Sequence, residues 1–374
     1  MSKDDKMKAK GERAVKVLSV VGARPQFIKE AIVGEELRKR KVVEILVHTG
    51  QHYDAFMSDV FFSQLNLKRP DYNLHVGSGT HAYQTGTTMI RLEEVALKEN
   101  PDIIVVYGDT NATLGGALVG AKLKIPVAHV EAGLRQLPKT MPEEINRVVT
   151  DHVSSFLFCP TSTAVENLKR EGITKGVYFT GDVMYDLFKK IQQIVKHDEV
   201  LARYHLKREN YVLATVHRDF NTDDKQRLER ILSALGKISQ ELCVVFPMHP
   251  RTKKAIERHN LRKALQKTLV LEPVPYQDLI SLVIGAKKVV TDSGGLQKEA
   301  YFAGVHAVVL MPDTAWIELV DSGWNILADA DEDKIVKYTL HHQDEQSDDL
   351  RSIYGNGDAG ARIAEILLAT HEQT

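Results

Sequence analysis

The feature that most constrains this chain is a series of short apolar runs, each followed by an amphipathic stretch, which ends near mid-chain and then begins again. Val15–Val21, Val42–Thr49, Ile103–Tyr107, Pro126–Val130, Phe156–Cys159 and Val177–Thr180 read as strands, with helical periodicity between them. Pro25, at the head of Gln26–Lys39, suits the first turn of a helix. The second series is Tyr211–Thr215, Cys243–Pro247, Leu269–Leu271, Lys288–Thr291 and Ala307–Leu310. Strands rich in Val, Ile and Leu without polar alternation belong to parallel sheets covered on both faces. The fold class expected is therefore α/β, with two doubly wound domains. The polar stretch Asp182–Asn210 contains no strand candidate and places the boundary near residue 190. A charged tail (1–14), a first domain (15–190) and a second domain (191–374) follow, the last helix being a candidate to pack back on the first domain. A chain of 374 residues fits two ordinary domains. Such domains are expected to face each other across a cleft and to bind ligands at the carboxyl ends of their strands.

Charge narrows the partners. A formal net charge of −1 gives no electrostatic reason to expect nucleic acid or an anionic membrane. No apolar run has the length of a membrane span, and the leader Met1–Arg13 is too charged for a signal peptide. Cys159 and Cys243 lie far apart in apolar runs and read as buried thiols of a reducing compartment, so a cytoplasmic location is expected.

The chemistry-bearing residues sit just beyond strand ends. In Lys288–Ala303 a strand meets Ser293-Gly294-Gly295 and then a helix, an arrangement that aims backbone N–H groups and a helix dipole at one point and suits a phosphate. Glu299, one turn inside that helix, is placed to accept from ribose hydroxyls. Gly22-Ala23-Arg24-Pro25 puts a guanidinium at a helix start, and Lys29 follows one turn later. Asp109, Glu131 and Glu143 or Glu144 come from three further loops, and His217-Arg218 and His249-Pro250-Arg251 from the second series. Taken singly, Asp109 and Glu143 read as helix N-caps. Gly77-Ser78-Gly79-Thr80-His81-Ala82 matches G-x-G-x-x-A, but it does not follow the first strand of a domain, so a dinucleotide role is set aside. Clustered carboxylates with a phosphate cradle suit a nucleotide diphosphate bearing a sugar, with proton transfer by the carboxylates. No metal ion and no cofactor is invoked.

Gly22-Ala23-Arg24-Pro25-Gln26-Phe27-Ile28-Lys29, Gly108-Asp109-Thr110, His129-Val130-Glu131-Ala132-Gly133-Leu134-Arg135, Pro142-Glu143-Glu144-Ile145-Asn146-Arg147, His217-Arg218 and Thr291-Asp292-Ser293-Gly294-Gly295 appear in this order. With them the chain resembles the non-hydrolysing UDP-N-acetylglucosamine 2-epimerases from about residue 15 to the C-terminus. The resemblance implies a GT-B fold of two Rossmann-like domains, a homodimer, and interconversion of UDP-GlcNAc and UDP-ManNAc for cell-surface polysaccharides. It implies acid/base and catalytic roles for Asp109, Glu131, Glu143 and His217. It implies UDP-sugar binding by Arg24, Lys29, Arg135, His249, Ser293, Gly294, Gly295 and Glu299.

Inverting C2 of an acetamido sugar removes a proton that no adjacent carbonyl acidifies. Expelling UDP from C1 as that proton leaves gives a glycal, and returning UDP with protonation on the other face completes the change. Either order of two carboxylates satisfies this scheme. Thr49–Asp54, Gly77–His81 with Gln84–Gly86, and Trp316–Val320 look closer to a branch that includes epimerases of UDP-2,3-diacetamido-2,3-dideoxy-glucuronate. Pro312 and Ala315 stand where that branch is expected to carry Arg and Glu. The alternatives are thus that diacetamido uronate as substrate, a GT-B glycosyltransferase, or a nucleotide-sugar binding protein whose catalysis has been lost.

Overall fold

In the computed structural model the described residues are 14–50, 68–136, 139–265, 267–342 and 353–371. The Met1–Arg13 leader and Gln51–Asp54 lie outside them. Ile103–Tyr107 shows why the strands form where they do: all five side chains are buried, as a run of Ile, Val and Tyr must be when both sheet faces are covered. Among the described residues the first sheet comprises β1 (Lys16–Val21), β2 (Val43–His48), β3 (Tyr72–Asn73), β4 (Ile103–Tyr107), β5 (Val127–Val130), β6 (Phe156–Cys159) and β7 (Val177–Phe179). Its order is β3-β2-β1-β4-β5-β6-β7, all parallel. The second sheet comprises β8 (Tyr211–Thr215), β9 (Cys243–Pro247), β10 (Leu269–Leu271), β11 (Lys288–Thr291), β12 (Ala307–Val309) and β13 (Asn325–Leu327), in the order β10-β9-β8-β11-β12-β13. Both orders reverse beside the first strand, the doubly wound topology that leaves a crevice at the strand carboxyl ends. The switch points lie between β1 and β4 in one sheet and between β8 and β11 in the other.

The chain divides into two compact units, Met1–Leu187 with Ile353–Thr374, and Phe188–Ser352. The last helix, Ala359–His371, falls with the first unit. It packs on α1 (Arg24–Lys39), where Arg40 Nη2 meets Glu365 Oε1 at 2.8 Å. Gly360 permits this contact, because a Cβ there would come within 2.7 Å of Ile32 Cγ2.

In the first unit, Leu18, Val20, Val47, Ile104, Val106 and Val127 pack under α2 (His81–Glu99) and α3 (Asn111–Leu123). Gly116 on α3 seats that helix on β4, since an added Cβ would lie 2.8 Å from Val106 Cγ1. In the second unit, one core cluster gathers Val212, Ala214, Val290 and Val308 beneath Lys225–Ile238, and another gathers Leu213, Val245, Val289 and Ala307 on the opposite sheet face. Cys159 is buried, but Cys243 is exposed, contrary to expectation. Cys243 opens its strand, where the sheet is not yet covered.

Candidate active site

The first unit builds its site at the β1/β4 switch point. Gln26, third residue of α1, reaches back so that its Oε1 accepts from Gly22 N (2.7 Å) and Ala23 N (3.0 Å). Its Nε2 donates to Tyr107 O and Thr113 Oγ1, tying the start of α1 to the end of β4. That start aims Lys29 at Glu131, and the two side chains form an ion pair, each 11% exposed. Glu131 holds a left-handed backbone (φ 74°), rare for a residue with a side chain and typical of functional loops. Its N–H and that of Ala132 both donate to Phe158 O, which fixes the loop. Gly108 lies alongside: a Cβ there would stand 3.3 Å from Lys29 Nζ and 3.4 Å from Glu131 Oε2.

Asp109 is held from α4 (Pro142–Val153). Arg147 Nη2 donates to Asp109 Oδ2, and its Nη1 donates to Glu144 Oε2 at 2.9 Å. Asn146 Nδ2 donates to Asp109 O at 2.9 Å. Burial disfavours the Arg147 cation, but Asp109, Glu144 and Glu131 outweigh that and raise its affinity for the proton. Glu144 is buried and also accepts from Gln136 N, whereas Glu143, one residue earlier, is exposed. Neither expected cap is realised: Thr110 caps α3, and Met141 precedes α4.

Arg135 has its guanidinium engaged inside the first unit. It grips Glu171 through Nε and Nη2 (2.7 and 2.6 Å), and its Nη1 donates to Leu134 O and to buried Asp151. These bonds hold its guanidinium against Asp151 and Glu171. Arg24 begins α1, but its side chain lies outside the described residues. Gly77–Ala82 follows edge strand β3, not β1, and leads into α2 with Thr80 as cap.

The second unit builds its site at the β8/β11 switch point. Asp292 is fully buried and receives the N–H groups of His217 and Arg218 (each 3.0 Å), Asn221 Nδ2 (3.1 Å) and His217 Nδ1 (3.1 Å). Burial raises its carboxyl, but the His217 hydrogen bond and charge, the Arg218 N–H and Asn221 overcome this and hold it below the usual carboxylate range. Ser293 caps α12 (Gly294–Phe302), its Oγ accepting from Leu296 N, so the Gly294 and Gly295 amides occupy first-turn positions without intrahelical partners. Trp316 Nε1 donates to Gly294 O at 2.9 Å, and Lys298 Nζ lies 4.0 Å above the indole. The loop holding Pro312 and Ala315 thereby borders the Ser293-Gly294-Gly295 turn. Glu299 is buried and accepts from Tyr276 Oη at 2.6 Å. His249 is exposed, caps Pro250–His259, and places its ring 5.6 Å from that of His217.

Residues 35–368 match the protein family described as UDP-N-acetylglucosamine 2-epimerase. The chain belongs to that family. A UDP-N-acetylglucosamine 2-epimerase homolog of Methanococcus maripaludis is 46% identical over 358 residues, covering 94% of this chain and 99% of the relative. A UDP-2,3-diacetamido-2,3-dideoxy-D-glucuronate 2-epimerase of Pseudomonas aeruginosa is 45% identical over the same shares. The crystal structure of the Methanocaldococcus jannaschii UDP-GlcNAc 2-epimerase in complex with UDP-GlcNAc and UDP is 40% identical, with TM-score 0.84, covering 96% of this chain and 100% of that one. The fold is α/β with two Rossmann-like domains of GT-B type.

In this epimerase Asp292, Tyr276 and Arg147 bond to candidate site residues. Asp292 stood in the Thr-Asp-Ser-Gly-Gly motif without a role of its own, and Tyr276 gave no signal. Arg147 was legible as the i+3 partner of Glu144, a spacing that pairs charges on one helix face.

Proposed function

We propose that the chain is a non-hydrolysing 2-epimerase that interconverts UDP-GlcNAc and UDP-ManNAc by eliminating and re-adding UDP, in the supply of cell-surface polysaccharide precursors. The observation that carries this reading is the pair of carboxylates Asp109 and Glu131, on adjacent loops after β4 and β5, each bound to its own cation. Two carboxylates held apart by separate cations suit a reaction that removes a proton from one face of C2 and delivers one to the other. In the forward half, one carboxylate takes the C2 proton, the C–H electrons form C1=C2, and the C1–O bond breaks onto the β-phosphate of UDP. The reverse half re-forms C1–O and protonates C2 from the opposite face. The Gly294 and Gly295 amides, the α12 dipole and His217 would stabilise charge on the departing diphosphate, and Glu299 would take the ribose.

The experiment is incubation with UDP-GlcNAc in D2O without acceptor, followed by NMR. Deuterium at C2 and the appearance of UDP-ManNAc are expected. Recovered sugar without deuterium would refute the reading and favour a glycosyltransferase. The second reading, UDP-2,3-diacetamido-2,3-dideoxy-glucuronate as substrate, is favoured by the 45% identical P. aeruginosa relative. The same experiment run on both sugars ranks them by initial exchange rate.

The reading includes a cytoplasmic homodimer. Among the described residues no helix is long and apolar enough to cross a membrane. Tyr83, Ile90 and Leu97 recur every seventh residue on α2 and are 51%, 66% and 66% exposed, the spacing of a seam between two helices. A second copy of the chain is the occupant assigned to that stripe.

A further inference from the structure

His129 lies on β5 two residues ahead of Glu131, and its ring is sealed from solvent. Both ring nitrogens meet oxygens: Nε2 is 2.7 Å from Gly108 O, and Nδ1 is 2.7 Å from Asp151 Oδ1. A carbonyl oxygen only accepts. Asp151 is an acceptor too, since it also receives Arg135 Nη1 at 2.8 Å and Gly133 N at 3.1 Å. Burial pushes the Asp151 carboxyl up, but the charges and hydrogen bonds of His129 and Arg135 prevail and keep it ionised. Two acceptors facing one ring require an N–H on each nitrogen. A neutral ring would leave one buried oxygen without a donor.

The charged groups joined to the ring fit that arrangement. Asp151 on α4 and Glu171 at the end of Ser162–Arg170 balance His129 and Arg135. Cys159 on β6 is nearby, its thiol pushed up by burial and by Asp151 and so neutral. Beyond Glu131 the loop is pinned again, where Asn167 Nδ2 donates to Gly133 O at 3.0 Å. Gly133 has φ 79°, and a Cβ there would meet Ala164 O at 2.4 Å.

We propose that His129 is a positioning residue of the epimerase, its doubly protonated ring tying the Gly108 carbonyl to Asp151 and so setting the spacing between Asp109 and Glu131. Gly108 immediately precedes Asp109, and His129 shares a strand and loop with Glu131, so one ring registers both carboxylate loops without touching substrate. The inference rests on the epimerase reading for its consequence, and on hydrogen-bond geometry for the protonation state.

Two measurements test it. In ring-15N NMR of the full-length wild-type protein at pH 7, His129, assigned through its backbone, should show N–H correlations at both nitrogens. A single protonated nitrogen would overturn the proposal. In steady-state epimerisation and C2 deuterium exchange, His129→Gln, which keeps the length but can no longer charge the link, should lose about 10- to 100-fold in kcat, the cost of a misplaced reacting group. KM and UDP affinity should stay near wild type. Unchanged kcat, or a loss confined to KM or UDP affinity, would overturn the positioning role. Absence of exchange by the wild type on either UDP-sugar would instead sink the epimerase reading, while the NMR result still decides the charge on the ring.

Discussion

Nδ1 of His217 stands 3.1 Å from Oδ1 of Asp292, a carboxylate with no solvent exposure, across the switch point of the second sheet. An ionised partner at Nδ1 fixes a proton there and turns Nε2 outward from a ring whose side chain is 35% exposed. Asp292→Asn preserves shape, but its amide can present N–H to Nδ1 and reverse the tautomer. C2 exchange should fall by up to about 10⁴-fold, the loss seen when the carboxylate of a His–Asp pair becomes an amide, with UDP titration little changed. Exchange at the wild-type rate would show that His217 works without this partner. Asp292 also bears on stability. As a carboxyl held below its ordinary value, it contributes stability that is present above about pH 3.9 and is lost as pH falls through its lower folded value.

Glu30 has the opposite sign. It is a residue of α1 whose carboxyl is fully buried, near Glu44 and Arg38. Burial first, and then the charge and hydrogen bond of Glu44, raise it well above the ordinary value. Its contribution is therefore present below about pH 4.3 and disappears as pH rises through the raised folded value. Glu30→Gln should raise the melting temperature at pH 8 by about 2–4 °C per kcal/mol gained and have little effect at pH 4. Melting curves at the two pH values check it, and equal shifts at both would rule out titration as the cause.

Arg147 joins two carboxylates, so Arg147→Met should leave Asp109 and Glu144 repelling each other around a buried methyl. A destabilisation of about 3–5 kcal/mol is expected for removing one partner of buried charges. Urea unfolding measures it, and a loss below 1 kcal/mol (about the worth of an exposed pair) would mean that solvent reaches the network.

Tyr276→Phe removes the 2.6 Å hydrogen bond to Glu299. If Glu299 takes the ribose, UDP affinity should weaken about 5- to 10-fold, close to the net worth of about 1 kcal/mol for an ordinary hydrogen bond. Calorimetry with UDP decides it, and an unchanged Kd would separate Glu299 from the nucleotide.

Ile90→Asp with Leu97→Asp places carboxylates on the exposed stripe of α2. Sedimentation equilibrium should show a monomer where the wild type is a dimer, with UDP binding retained. A dimer that survives both changes would put the interface elsewhere.

Much of the scaffold could be read from the chain because it rests on short-range physics. Ile103–Tyr107, Tyr211–Thr215 and Cys243–Pro247 are continuous apolar runs, and a run that shuns water on both faces declares a buried parallel strand. Tyr72–Asn73 and Asn325–Leu327 escaped notice because two or three residues, partly polar, make no such run. The strand-end motifs likewise place Asp109, Glu131, His217 and Ser293–Gly295 just beyond strands. Tertiary structure alone decided their partners. Glu144, not its neighbour Glu143, meets Arg147 because one residue turns a helix by 100° and buries one carboxylate while exposing the other. Arg135 is committed to Asp151 and Glu171, residues that become neighbours only when Phe156–Cys159 is laid beside Val127–Val130. Asp292 reaches His217 from 75 residues away because β11 pairs with β8 and not with β10, the strand that precedes it in the sequence. Chain order states which side chains are available, and the order of strands in the sheet determines which of them share a charge.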